Sequence, residues 1–417
     1  MTGGCALDSL PDAATRRRAL LDHDSTLLIE AGAGSGKTRT VLKILTVLRD
    51  RQEIDTVVIT MDETDLLNQW FTEMLALRGT LKTPVQFYRD YDSHKEVQDF
   101  SLSPKHSVLL VMRRAGTVGD PLVSALRQLT PAQKRRTLLI HDEVHRLGSP
   151  DNRRRLAGLA DEIRFRLGLS ATPEREYDNT GNDLITEHIG PELFRFEPGD
   201  AIRRGFLAPF NYFPLPYQLT DDDRARVRDV YRRKAARAAA GEPMTDEQVW
   251  TDIANVYKTS RAKLPVFEGF IARRHELLER CIIFVETQEY GYEILDIVHK
   301  HRADFHTCFS GEQSGTLRRF AHGDLECLIT CHRVSEGIDI RSLSSVILFS
   351  SARARLETIQ RMGRCLRSNP DDPEKFANVA EFIRQGDEGD DPNADEDRCA
   401  WLTELSTARM EEGVNEP

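Results

Sequence analysis

The run Ala31-Gly32-Ala33-Gly34-Ser35-Gly36-Lys37-Thr38 has the composition of a loop that wraps phosphate, and it follows an apolar stretch, Leu27-Leu28-Ile29. Gly32, Gly34 and Gly36 let successive backbone N–H groups turn toward one anion. A triphosphate is the natural occupant. Lys37 reaches its β- and γ-phosphates, Thr38 ligates Mg²⁺, and the helix expected over residues 39–48 directs the positive end of its dipole at the same charge. A second group lies at Asp142-Glu143, directly after the apolar run Leu138-Leu139-Ile140-His141. A strand that ends in two adjacent carboxylates places them at its carboxyl end, where α/β sheets hold their ligands. Asp142 is suited to the metal, and Glu143 to polarising a water that attacks the terminal phosphate. His141 reads as a packed strand-end residue.

These groups need a scaffold, and the chain supplies the pattern of one. Short apolar runs at 56–60, 108–111, 137–141 and 165–170 alternate with amphipathic stretches, which is the signature of a parallel α/β sheet. The regularity breaks at Ala208 to Pro216. Two helices follow, the first opening with Asp221, Asp222 and Asp223 and ending before Gly241, the second opening with a capping box, Thr245 and Gln248. Alternation resumes over 281–285, 326–330, 345–349 and 377–383. The expected organisation is an α/β domain over 1–200, a helical connector over 201–265, a second α/β domain over 266–385 and an acidic, disordered tail over 386–417, with room for a short helix around Trp401 to Met410.

With 417 residues and 40% hydrophobic content the chain can bury two cores. Seven cysteines without paired spacing, no leader and no apolar run approaching 18 residues point to a cytoplasmic protein away from membranes. Cys327, Cys331 and His332 form the one metal-like cluster, but the thiols flank an apolar run and read as core packing. The net charge of −10 is concentrated in residues 386–417, where eleven acids face Arg398 and Arg409. The rest is nearly neutral. Its local arginine clusters, including Arg224 to Arg237 on the first connector helix, are compatible with a phosphate-tracking groove. On its own, that helix reads as a solvated surface.

In order along the chain come AGAGSGKT (31–38), DEVH (142–145), SATP (170–173), SEGID (335–339) and QRMGRCLR (360–367). This series resembles the superfamily 2 helicases and translocases over roughly residues 25–384, and is most similar to XPB-type translocases and the motor subunits of type I and type III restriction systems. The resemblance implies two tandem RecA-like parallel-sheet domains, with ATP and Mg²⁺ between them and nucleic acid across their top. By position it implies that the residues from Ala31 to Lys37 bind phosphate, that Thr38 and Asp142 hold Mg²⁺, and that Glu143 activates water. His145, Ser170 and Thr172 would couple that site to nucleic acid. Gly337, Asp339, Gln360 and Arg361 would meet nucleotide from the second domain, with Arg364 and Arg367 as arginine fingers. An inserted guanidinium is worth roughly 10³ to 10⁵ in the rate of phosphoryl transfer.

Nucleic-acid contacts are assigned to Thr60, Arg113, Arg114, Thr287 and Thr330, each at or just beyond a strand end. Met61-Asp62-Glu63 departs from the family's Pro-Thr opening at this point. Trp70, at helical spacing from Leu66, Leu67 and Met74, reads as core. No glutamine-bearing adenine motif precedes Leu27. The expected activity is nucleic-acid-stimulated ATP hydrolysis driving movement, with DNA favoured as the track. Protein partners would complete a bacterial restriction, phage-defence or repair system. An RNA helicase with the same engine, or a nucleotide-gated clamp, are the alternatives.

Overall fold

A computed structural model describes residues 26–31, 37–79, 81–113, 120–159, 161–170, 179–190, 192–309, 313–331, 342–350, 355–369, 372, 374–386 and 394–409. The chain divides into two compact units, residues 1–201 and 202–417.

The first unit is built on seven strands: β1 (Thr26–Ala31), β2 (Thr56–Met61), β3 (Gln86–Asp90), β4 (Ser107–Met112), β5 (Thr137–His141), β6 (Phe165–Ser170) and β7 (Glu192–Phe196). They lie in the order β3-β4-β2-β5-β6-β1-β7, and every pairing is parallel. Parallel strands covered on both faces are apolar along their length rather than alternately. β2 and β5 obey this, with every residue buried. Helix α1 (Lys37–Asp50) buries Val41, Leu45 and Leu48, whereas α2 (Thr64–Arg78) buries Leu67, Trp70 and Met74, spaced as one helical face requires. Helix α3 (Asn179–Ile189) adds Ile185 and Ile189 to the core formed by Val58, Leu109, Val111 and Leu139.

The second unit holds β8 (Phe210–Tyr217), β9 (Cys281–Phe284), β10 (Phe305–Cys308), β11 (Cys327–Thr330), β12 (Ser345–Leu348) and β13 (Ala377–Arg384). Their order is β10-β11-β9-β12-β13-β8, again wholly parallel. The core includes Phe267, Ile283, Ile294, Phe349 and Phe382. Cys327 packs within it, opposite Cys281 in the ladder.

Two expectations are corrected here. The segment 208–216, read as the opening of a separate connector, is the edge strand of the second sheet, paired to β13 over eight residues. Its prolines fit because of their direction. Pro209 and Tyr217 turn their carbonyls toward β13, accepting from Ala377 and Gln385, so the even-numbered positions, including Pro214 and Pro216, face outward. A missing N–H costs nothing on that side. The two connector helices, α4 (Asp221–Ala239) and α5 (Asp246–Lys258), follow with the capping box on Thr245 and Gln248 in place. They pack on each other through Val230, Val249 and Ile253, and α6 (Lys263–Ile271) then enters the core.

The tail is the second correction: its helix runs over Ala394–Ser406, starting earlier than the short one expected around Trp401 to Met410. Helix α7 (Gln288–His299) and helix α8 (Arg355–Cys365) precede it, so it is α9. Its first turn carries Asp395, Glu396 and Asp397, which complement the helix dipole. Arg398, buried with it, is ion-paired with the wholly buried Glu381 of β13. That burial holds a segment whose composition alone favours solvent. Among the described residues no helix is long and apolar enough to cross a membrane.

Candidate functional site

In the first sheet β2, β5, β6 and β1 are consecutive neighbours, so Met61, His141, Ser170 and Ala31 all end on one edge. The phosphate-loop residues Gly32, Ala33, Gly34, Ser35 and Gly36 lie outside the described residues, but α1 begins at Lys37 directly after them. Lys37 and Thr38 thus open a 14-residue helix, and Asp142 and Glu143 leave β5 on the same edge.

Asp142 is buried and held from two directions. Its Oδ2 accepts the indole N–H of Trp70 at 2.8 Å, and its Oδ1 accepts the backbone N–H of Glu143 at 2.9 Å. The chain then turns through a left-handed residue, Glu143, at φ 48° and ψ 54°. A non-glycine residue in that region stores of order 1 kcal/mol and needs support from its surroundings. Arg113 provides it, donating to the carbonyls of Asp142 and Glu143 at 3.0 and 3.3 Å.

Burial, followed by the nearby Asp142 carboxylate, raises the Glu143 carboxyl to about 7, and Lys37 acts in the opposite direction. Its Oε2 lies 3.3 Å from His145 Nδ1 but makes no hydrogen bond. His145 Nδ1 instead shares a 3.0 Å hydrogen bond with Ser170 Oγ. The structure therefore joins two of the residues expected to couple the site to nucleic acid, His145 and Ser170, and places Glu143 beside them. Thr172 lies outside the described residues.

Whether this edge fits Mg²⁺ and a triphosphate can be judged from its donors. An ionised carboxylate offers about four lone-pair positions, and Asp142 commits one hydrogen bond on each oxygen. Acceptor capacity remains for a hard cation, whose preferred partners are oxygens. Glu143 contributes a buried oxygen without a hydrogen-bond partner, and the ammonium of Lys37 is close enough to influence it. The set fits. Lys37 and Thr38 would hold phosphate and metal, Asp142 the metal, and Glu143 an attacking water.

Several residues expected to contact nucleic acid sit at the expected strand ends but are buried or bonded within the chain. Arg113 is wholly buried, paired with Asp62 at 3.1 Å, and acts as an internal clamp rather than a phosphate contact. Thr60 and Thr330 are also buried, the latter donating to the carbonyl of Cys308 at 3.0 Å. Thr287 caps α7, accepting the N–H of Tyr290 at 3.2 Å. Arg114 lies outside the described residues.

In the second unit, Arg361 is turned inward, donating to the carbonyl and hydroxyl of Ser350 and stacking over Phe284, so it braces the sheet. Arg367 is half-buried and its backbone bridges Leu207. Gln360 and Arg364 lie on α8, with their side chains outside the description, as are Gly337 and Asp339.

The comparisons with known proteins follow the same division. Residues 7–175 match the model for the type III restriction enzyme res subunit, and residues 263–369 match the helicase conserved C-terminal domain. The chain belongs to the superfamily 2 helicases. Over 384 residues it is 22% identical to the DNA 3'-5' translocase XPB2 of Sulfurisphaera tokodaii, covering 86% of this chain and 78% of that protein. The helicase domain of Pyrococcus furiosus Hef superposes with a TM-score of 0.55 at 14% identity, over 93% of this chain and 97% of that one. The ATP-dependent Type ISP restriction-modification enzyme LlaBIII, bound to DNA, superposes with a TM-score of 0.57 at 17% identity. This chain covers 30% of that enzyme, and 96% of this chain is included. These two likenesses establish the two-domain α/β helicase fold.

Against the helicase pattern, the departure at Met61-Asp62-Glu63 now has a physical reason. Asp62 neutralises Arg113, and Glu63 pairs with Arg146 at 2.6 Å, so both acids tie the end of β2 to the DEVH loop. Sequence reasoning missed Asp62, Arg146 and the polar role of Trp70.

Proposed function

We propose that this helicase-family chain is an ATP-driven motor that moves on DNA. One observation carries the reading: Asp142 and Glu143 leave β5 on the same sheet edge at which α1 begins with Lys37 and Thr38. The second unit would supply Arg364, with Arg367, to the charge that develops on the transferring phosphoryl group. Hydrolysis would then depend on approach of the two units, which is how chemistry becomes movement. DNA is favoured because the relative XPB2 is described as a DNA translocase and LlaBIII was solved bound to DNA. The restriction-enzyme match over residues 7–175 supports a place in a restriction, phage-defence or repair system whose partners select the target.

The deciding experiment is the ATPase rate of the full chain with duplex DNA, single-stranded DNA and RNA, alongside displacement of a third strand from a triplex. The expected result is stimulation by DNA and ATP-dependent displacement. Stimulation by RNA alone would replace DNA as the track, and hydrolysis without displacement would make the chain a clamp rather than a motor.

A further inference from the structure

Trp70 has a feature that core packing does not require. Its indole is buried within α2, yet its N–H is spent on one particular acceptor, Oδ2 of Asp142, 72 residues further along the chain. A buried indole N–H needs a partner, and here the partner is the carboxylate best placed to hold the metal. The N-terminus of the same helix is fixed to the same loop. Glu63, at the N-cap of α2, makes no capping bond of its own but pairs with Arg146, three residues after Glu143. Asn152 then donates to the Arg146 carbonyl at 3.0 Å, which anchors the loop from behind. Between these two ties lie about two turns of helix, a rigid spacer.

We propose that Trp70 is the outer positioning residue for the metal-binding carboxylate, so that the placement of α2 sets how well Asp142 holds Mg²⁺. This rests on the reading of Asp142 given above. Carboxylates that ligate metals are themselves oriented by hydrogen bonds, and loss of such a partner typically lowers metal affinity or activity by about 10- to 100-fold. Phenylalanine at position 70 would fill most of the same volume without the N–H. The helix that follows β2 would then report its position to the magnesium site through one bond, separately from the His145–Ser170 contact.

The test uses the full chain in two ways. In Trp70→Phe, the Mg²⁺ concentration giving half-maximal binding of a fluorescent ADP should rise about tenfold or more, while binding of that nucleotide in EDTA stays within twofold of wild type. Wild-type protein with ¹⁵N-labelled indoles provides the second reading, which survives if the variant does not fold. The Trp70 signal, assigned by elimination with Trp250→Phe and Trp401→Phe, should shift when Mg²⁺ joins bound ADP and stay in place when ADP binds in EDTA. An unchanged Mg²⁺ dependence in a folded Trp70→Phe protein, or a Trp70 signal indifferent to Mg²⁺, overturns the assignment. Absence of DNA-stimulated turnover in wild type would sink the motor reading and leave these magnesium measurements untouched.

Discussion

Arg113 and Asp62 form a buried ion pair with contacts of 3.1 and 3.3 Å, and the same guanidinium donates to the carbonyls of Asp142 and Glu143. Removing one partner of such a pair strands the other charge, at a cost of about 3–5 kcal/mol. Arg113→Met should therefore lower the urea stability of the first unit by that amount. Adding Asp62→Leu should recover much of the stability but none of the activity, because Glu143 still loses its brace. Equal stability of the single and double variants would show that the pair is not coupled.

In the proposed motor, Glu143 sets catalysis against stability. Its carboxyl stands at about 7 in the folded chain against 4.5 ordinarily, so the folded state holds its proton more tightly. The stabilisation is complete below pH 4.5 and lost as pH rises through 7, leaving a cost of up to about 3 kcal/mol above that window. In EDTA and without nucleotide, Glu143→Gln should melt higher than wild type at pH 8 and close to it at pH 4.5. The same variant should bind ATP and fail to turn it over. A variant that hydrolyses ATP at the normal rate removes Glu143 from its assigned part.

His141 and His188 place their Nε2 atoms 3.2 Å apart in the interior of the first unit. Burial, then His188, holds His141 well below its ordinary value, and burial, then Arg166, lowers His188 to about 4. The unfolded chain takes up protons near 6.5 while the folded chain resists until about 4. Stability is thus present above pH 6.5 and falls through that window, by about 3 kcal/mol for His188 alone. Denaturant titrations from pH 7 to 4 should show the loss, and His188→Gln should flatten it.

Arg398 and Glu381 make the corresponding pair in the second unit, with Tyr212 donating to the same carboxylate at 3.1 Å. Arg398→Met should cost about 3–5 kcal/mol. A chain stopped after residue 386 should lose protection from hydrogen exchange in β8 and β13 while β2 and β5 keep theirs. Retained protection in β8 would show that α9 is dispensable.

The two ends of the proposed catalytic apparatus, Lys37 and Arg364, should separate in binding experiments. Lys37→Ala should abolish tight ATP binding. Arg364→Ala should keep ATP and DNA binding, measured by fluorescence anisotropy, while hydrolysis falls by at least about 10³-fold. Normal turnover in the arginine variant would exclude it as a finger.

What could be read from the sequence followed from locality. β2, β4 and β5 are central strands, buried on both faces, and announce themselves through the apolar runs Val57–Ile59, Val108–Val111 and Leu138–Ile140, whereas β6 keeps its place despite Arg166. β3 and β10 are edge strands with half-exposed residues and no such run, and β8 carries two prolines, so these escaped notice. The site divides the same way. Asp142 and Glu143 are legible because strand and carboxylates are contiguous. Arg113 was misread as a surface cation because its burial depends on Asp62, 51 residues earlier. The Trp70 bond to Asp142 spans 72 residues and leaves no local pattern at all.

The outward prolines of β8 bear on how this chain tolerates company. An unprotected outer strand is a template on which another polypeptide can add itself, and multicomponent machines concentrate many such strands in a small volume. With Pro214 and Pro216 directed away from β13, an incoming strand would find two of its carbonyls without a donor. The β8 edge of the second sheet thus resists being lengthened by an added strand, so that a protein packing there would have to do so through side chains rather than backbone.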